Sequence, residues 1–95
     1  IKRTASHKAA HNGAVDAMVA IHAIKGNALL TETDHMGDTP LHLAAGRPFA
    51  TAAAAQLLEW GGAQLLDIKN DEGVTPWEIA AEKPKMRKAI EKYKQ

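Results

Sequence analysis

Apolar residues recur three and four positions apart over most of the chain, which is the spacing of helices that pack through one face. The clearest case lies near the end, where Met86, Ala89, Ile90 and Tyr93 occupy positions i, i+3, i+4 and i+7. The pattern predicts an all-α protein. The predicted helices cover residues 4–11, 14–25, 39 to about 46, 50 or 51–60, 75–82, and 84 or 85–93.

One short string occurs three times. Residues 39–45 read TPLHLAA, residues 75–81 read TPWEIAA, and residues 4–10 are a weaker copy, TASHKAA. Each copy begins with a threonine suited to cap a helix, and proline follows it in the two better copies. Self-similarity with a period in the thirties predicts a solenoid of stacked helix-turn-helix units. The three units run approximately over residues 4–38, 39–74 and 75–95.

The string TPLHLAA resembles the signature of the ankyrin repeat, whose period is about 33 residues. The resemblance extends to DHMGD at 34–38 and NDEGV at 70–74, which are similar to the turn before the threonine. It also extends to LLEWGGA at 57–63, which is similar to the second helix and its glycine stop. The resemblance implies a single domain over residues 1–95, built as an ankyrin-like solenoid of about three stacked repeats joined by hairpin-like loops.

The first copy leaves two interpretations open. A short basic lead-in, residues 1–3, precedes it, and Lys8 stands where the later copies have Leu43 and Ile79. A terminal repeat needs a polar outer face because nothing stacks on it, so this copy is interpreted as an N-terminal cap. The alternative is that a further repeat lies upstream. The basic last helix is interpreted in the same way, as a solvated C-terminal cap.

Composition and charge exclude several functions. The chain has 95 residues, a net charge of +1 and no cysteine, which predicts one domain without disulfide or thiol chemistry. A balanced charge argues against nucleic acid as the partner. No apolar run approaches the length of a membrane span, and no signal peptide is visible. We therefore expect no membrane insertion, an intracellular and most simply cytoplasmic location, and a monomer or part of a larger chain.

No constellation of catalytic residues or cofactor motif is found, so the chain is predicted not to be an enzyme and to need no cofactor. His7 and His11, four residues apart on one helix face, could present two metal ligands, but no further ligands follow at a zinc-like spacing. The resemblance instead implies that His7 and His42 are structural and hydrogen-bond near the threonine and the adjoining turn. We therefore predict no metal site.

Two tryptophans need separate interpretations. Trp77 stands where the repeat signature has leucine, so we expect it in the core. Trp60 precedes the glycine stop, where it could either cover the edge of the core or stay half exposed.

The resemblance implies a protein-binding module that uses its turn tips and the exposed side of its first helices as one concave surface. The alternative is a regulatory or scaffolding segment of a larger enzyme or channel. Positions that vary in the repeat signature give the candidate partner-binding residues. They are Arg3, His11, Asn12, His35, Met36, Asp38, Gly46, Arg47, Asp71, Glu72, Val74, Glu82 and Lys83.

The turn tips are expected to be net acidic. Carboxylates outnumber lysines there: Glu32, Asp34, Asp38, Asp71 and Glu72 against Lys69. Charge complementarity then favours a partner segment that is basic or mixed in charge.

Overall fold

A computed structural model describes residues 3–94, and all the regular structure in that range is helical. It contains six α-helices: α1 (Ala5–His11), α2 (Val15–Lys25), α3 (Pro40–Ala45), α4 (Thr51–Gly61), α5 (Pro76–Ile79) and α6 (Pro84–Glu91). Three 3₁₀ segments follow α2, α4 and α5, over Gly26–Thr31, Ala63–Asp67 and Ala80–Glu82. The predicted all-α class is therefore confirmed. The first two residues of the predicted basic lead-in lie outside the described residues.

Two predicted helix ends differ from the structure by more than one residue. The helix predicted over 75–82 is α-helical only to Ile79 and continues as a 3₁₀ turn to Glu82. The reason is Pro84, which disfavours helical geometry at Lys83 (φ −122°, ψ 86°), so the last turn tightens before it. The last helix ends at Glu91, two residues before the predicted end at Tyr93.

The helices pack in two rows. The first helices α1, α3 and α5 follow one another in contact, and so do the second helices α2, α4 and α6. Fully buried alanines, among them Ala10, Ala44, Ala53 and Ala54, let the helices approach closely, and one continuous apolar core runs between the rows. The division of this core into repeats 4–38, 39–74 and 75–95 remains a prediction.

Each first helix begins at a threonine whose side chain and main chain are both bonded. The Oγ1 atoms of Thr4, Thr39 and Thr75 accept from the main-chain N–H three residues on, at 3.3, 3.3 and 3.2 Å. In return, the side chain of that third residue accepts from the threonine N–H. The third residue is Glu78 in α5, the usual partner in a capping box, but it is histidine in α1 and α3.

His7 and His42 add a second bond that a glutamate lacks. Nδ1 of each ring accepts from the threonine N–H, so Nε2 carries the proton and donates it. The acceptors are the carbonyl of Asp38, 2.7 Å from His7, and the carbonyl of Val74, 2.9 Å from His42. Both carbonyls belong to the connection before the next first helix. These bonds confirm the structural role predicted for both histidines, and they leave neither ring nitrogen of His7 free to bind a metal with His11.

Candidate partner-binding surface

The two long connections end in turns of the same construction, which we call tip 1 (residues 34–38) and tip 2 (residues 70–74). In tip 1, Asp34 Oδ1 accepts from the main-chain N–H groups two and four residues on, at 2.9 and 3.0 Å. In tip 2, Asn70 Oδ1 makes the same two bonds, also at 2.9 and 3.0 Å. A short polar side chain bonded to the following amides is a common way to hold a tight turn.

The two tips are bonded to each other. The main-chain N–H of Asp71 donates to the carbonyl of Met36 at 3.0 Å. The side-chain amide of Asn70 donates to Asp38 Oδ1 at 2.8 Å. The tips therefore form one continuous edge of the molecule rather than two independent loops.

Burial of Asp34 corrects the predicted distribution of acidic charge. Asp34 is only 4 % exposed, and its Oδ2 lies 3.2 Å from Arg3 Nε. Burial raises the pKa of Asp34, but the N–H groups of Met36 and Asp38, together with Arg3, lower it by more. The net result is a pKa below the ordinary value. Asp34 is thus an internal acceptor of tip 1 and does not contribute an exposed charge.

Glu32 is also engaged within the chain. It accepts from the Thr4 hydroxyl at 3.1 Å and forms an ion pair with Lys25. Burial raises the pKa of Glu32, but the bonds from Lys25 and Thr4 help to lower it by more, so that the pKa lies below the ordinary value. With Asp38 bonded to Asn70, the exposed carboxylates of the tips are those of Asp71 and Glu72. The edge formed by the tips is acidic, as predicted, but it carries fewer exposed carboxylates than expected.

The candidate residues fall into two groups at opposite ends of the first helices. The tip group surrounds the bonded edge: His35, Met36, Asp71 and Glu72 are exposed, and Asp38 and Val74 are half-buried. The turn group lies after the first helices: Asn12 and Glu82 are exposed, and His11, Gly46, Arg47 and Lys83 are half-buried. Arg3, which is exposed, joins the tip side through Asp34. The six residues of α3 span about 9 Å between the two ends.

Two aromatic contacts were not predicted. Trp60 stacks on His22 of the preceding second helix, with ring centroids 3.9 Å apart and planes 3° from parallel. Trp77 is half-buried rather than in the core, because its ring lies at the edge under the Arg87 guanidinium, 3.6 Å away. Arg87 also donates to the Trp77 carbonyl at 2.9 Å. No periodic pattern could have indicated either pair, because the partners come from different elements.

Three exposed apolar residues were also missed: Val19 and Ile24 on α2, and Phe49 in the turn before α4. Phe49 has the Arg47 guanidinium 4.8 Å from its ring centre. Nothing in the sequence marked Ile24 as exposed, because its spacing from the other apolar residues of the helix is the same as that of a core residue.

Comparison with known families agrees with the central copy of the repeated string. The model of the ankyrin repeat family matches residues 36–71, which contain the last three residues of tip 1, α3, α4 and the beginning of tip 2. The family resemblance is therefore confirmed in this segment. Ankyrin repeats are generally protein–protein interaction modules and are typically not catalytic. A search of curated proteins finds no match. Among residues 3–94, no helix is long and apolar enough to cross a membrane.

The buried carboxylate of tip 1 predicts a specific sensitivity to acid. Because the pKa of Asp34 is lower in the folded chain than in the unfolded one, its contribution is present above the unfolded pKa and lost as pH falls through the folded pKa. Asp34→Asn keeps the Oδ1 acceptor, as Asn70 does in tip 2. We expect this variant to be up to about 1 kcal/mol less stable than wild type at pH 7, because it lacks the ion pair with Arg3. As the pH falls below about 5, its free energy of unfolding should decrease less than that of wild type.

Urea unfolding of wild type and Asp34→Asn at a series of pH values measures this difference. Glu72→Gln, which changes an exposed carboxylate, is the control and should follow the wild-type pH dependence. Parallel curves for wild type and Asp34→Asn would contradict the assignment.

Proposed function

We propose that this chain binds another protein through the edge formed by the two tips, with the turn group as a second contact. The observation that carries the proposal is the pair of bonds between the tips, from Asp71 to Met36 and from Asn70 to Asp38. A loop edge held in one conformation loses little freedom on binding, which favours affinity. The interaction function typical of ankyrin repeats supports the same proposal.

The chemistry of the edge indicates the partner. Asp71 and Glu72 are exposed carboxylates, and His35 and Met36 are exposed beside them, with Met36 41 % exposed. A flexible methionine adapts its contact to different apolar groups. A partner segment with basic residues and an apolar side chain complements this edge.

The turn group extends the proposal to the other end of the first helices. Its charged members are Arg47 and Lys83, which are half-buried, and Glu82, which is exposed. A partner of mixed charge would therefore place its basic part at the tips and its acidic part beside Arg47 and Lys83. The proposed contact set is the full list of candidate residues, with Arg3 holding Asp34 as well as lining the edge.

We further propose that residues 1–95 form one ankyrin-repeat domain of three units, that the chain is intracellular, as ankyrin repeats often are, and that it uses neither nucleic acid nor a cofactor. A regulatory or scaffolding segment of a larger enzyme or channel is the alternative. That alternative would use the same surface, and the full reading frame would distinguish it from a separate binding module.

Charge reversal at the tips tests the proposal. We expect Asp71→Lys with Glu72→Lys to slow association about tenfold, at the low end of electrostatic steering, and to weaken its salt dependence. Asp38 is left unchanged because it holds Asn70. Stability should change by no more than about 0.5 kcal/mol, since both side chains are exposed.

The measurement is binding kinetics at two salt concentrations against a partner purified by pull-down with the wild-type chain. Lys88→Glu with Lys92→Glu, on the exposed side of α6, is the matched control. An unchanged on-rate in the tip variant, together with loss of binding in the α6 variant, would move the contact surface to the basic C-terminal helix.

A further inference from the structure

Among residues 3–94, no element covers the outward face of α2, which is largely apolar. Ala17, Ala20, Ala23 and Ile24 are all exposed, and Ile24 is 87 % exposed. At 100° per residue these four side chains fall within one stripe about 120° wide, opposite the buried Met18. A helix with apolar residues on both sides is typical of an element buried from both sides.

The next second helix shows what this stripe does when it is covered. α4 has the same length as α2 and begins 36 residues later, so Ala53 and Trp60 correspond to Ala17 and Ile24. At these two positions α4 is covered: Ala53 is fully buried, and Trp60 stacks on His22 of α2. The equivalents of Ala20 and Ala23 are Gln56, which is half-buried, and Glu59, which is exposed and accepts from the Tyr93 hydroxyl. At Ala53 and Trp60, therefore, α4 is covered on the side on which α2 is exposed at Ala17 and Ile24.

The first helices differ from each other at the corresponding position. Leu43 of α3 is buried, whereas Lys8, at the corresponding position of α1, is exposed. A whole helical pair stacked on this end would bury the Lys8 ammonium without a partner, which is costly. The covering element therefore fits as one helix that lies on α2 and leaves α1 in water.

We propose that the outward face of α2 binds a single amphipathic helix of another protein, at a surface separate from the tips and the turn group. The small side chains of Ala17 and Ala20 allow that helix to approach closely, and Ile24 packs into its apolar stripe. Asp16 is exposed within the same stripe, between Ala20 and Ala23 around the helix axis, whereas Lys25 is paired with Glu32. Charge complementarity then favours a basic residue on the partner helix beside Asp16.

A second copy of the chain fits this face less well. Stacked head to tail, it would present α6 and its C-cap, where the exposed Lys85, Lys88 and Lys92 would be desolvated against Ile24. Paired face to face, with the two α2 helices antiparallel about Ala20, each copy would place Asp16 beside Ile24 of the other. Both arrangements bury charge against an apolar side chain.

Selection from a peptide library tests the proposal and does not require the partner to be identified first. The probe is a displayed library of helix-favouring peptides of about 16 residues, long enough to span α2, selected on the intact chain. We expect enriched peptides to carry an apolar stripe at i, i+3 or i+4, and i+7, with a basic residue beside it. Ile24→Lys should weaken their binding at least about tenfold and leave the circular dichroism spectrum unchanged, since Ile24 is exposed.

Two controls separate this surface from the tips. Met36→Lys makes the same kind of change at an exposed apolar residue of tip 1, and Asp71→Lys with Glu72→Lys alters the tip charge; both should bind the selected peptides as wild type does. Peptides that bind Ile24→Lys equally well, or selections without a helical consensus, would overturn the proposal. So would sedimentation of the chain alone as a dimer that Ile24→Lys dissociates, because a second copy would then cover the face.

Discussion

Replacement of His42 by alanine is expected to lower the free energy of unfolding by about 3 kcal/mol. His42 is 2 % exposed and makes three contacts: Nδ1 with the N–H and the hydroxyl of Thr39, and Nε2 with the Val74 carbonyl. Alanine leaves the Thr39 N–H and the Val74 carbonyl unpaired, at about 1–3 kcal/mol for each buried group. It also leaves a cavity in place of the ring.

Two further variants make the prediction specific. His42→Gln keeps an acceptor for the Thr39 N–H, as Glu78 does for Thr75, but is too short to keep the geometry of both imidazole contacts; we expect an intermediate loss. His35→Ala, at an exposed histidine of tip 1, should cost no more than about 0.5 kcal/mol. Equilibrium unfolding in urea measures all three. If the urea midpoints of His42→Ala and His35→Ala were equal, the bond from His42 to the Val74 carbonyl would not stabilise the fold.

The Gly37→Ala variant is expected to be clearly less stable than Gly73→Ala, although the two glycines share one backbone conformation. Their φ angles are 76° and 77°, so each substitution incurs the cost of a left-handed residue, about 1–2 kcal/mol. A Cβ at Gly73 meets nothing within 4 Å, whereas a Cβ at Gly37 lies 2.4 Å from Asp71 Oδ1 and 2.8 Å from the Asp71 main-chain nitrogen. Overpacking of this kind adds about 1–3 kcal/mol.

The contrast between these variants isolates the contact between the tips. The difference in unfolding free energy between Gly37→Ala and Gly73→Ala removes the shared backbone cost and leaves the clash with tip 2. Removing the Asp71 side chain, as Asp71→Ala in the Gly37→Ala background, should recover only part of the loss, because the main-chain nitrogen remains too close. Equal stability of the two single variants would mean that the tips separate without cost.

Local signals account for the parts of the fold that were predicted correctly. The threonine caps at Thr4, Thr39 and Thr75 depend on residues three positions apart in the chain. The apolar face that buries Met86 and Ile90 likewise depends on residues three or four positions apart. Interactions of this range are set by neighbouring residues, so the sequence alone determined that the chain is all-α and where most helices begin. The family match at 36–71 confirms the resemblance for the copy of the string at 39–45.

Only the tertiary structure decided which polar and apolar groups remain available to a partner. Asp34 and Glu32 looked like exposed acidic residues until Arg3, Lys25 and Thr4 were seen to bind them. The partners lie up to 31 residues away along the chain, and no local pattern specifies such a pairing.

The same limit applies to Ile24 and Trp60. Both occupy equivalent positions in regular helices, but one is exposed and the other stacks on a neighbouring helix. Helical period depends on the residue itself and its near neighbours, so the sequence by itself could identify the apolar stripe on each helix. Whether that stripe is covered depends on which element the fold places against it, and the tertiary structure alone decided that α4 has such an element and α2 has none among residues 3–94.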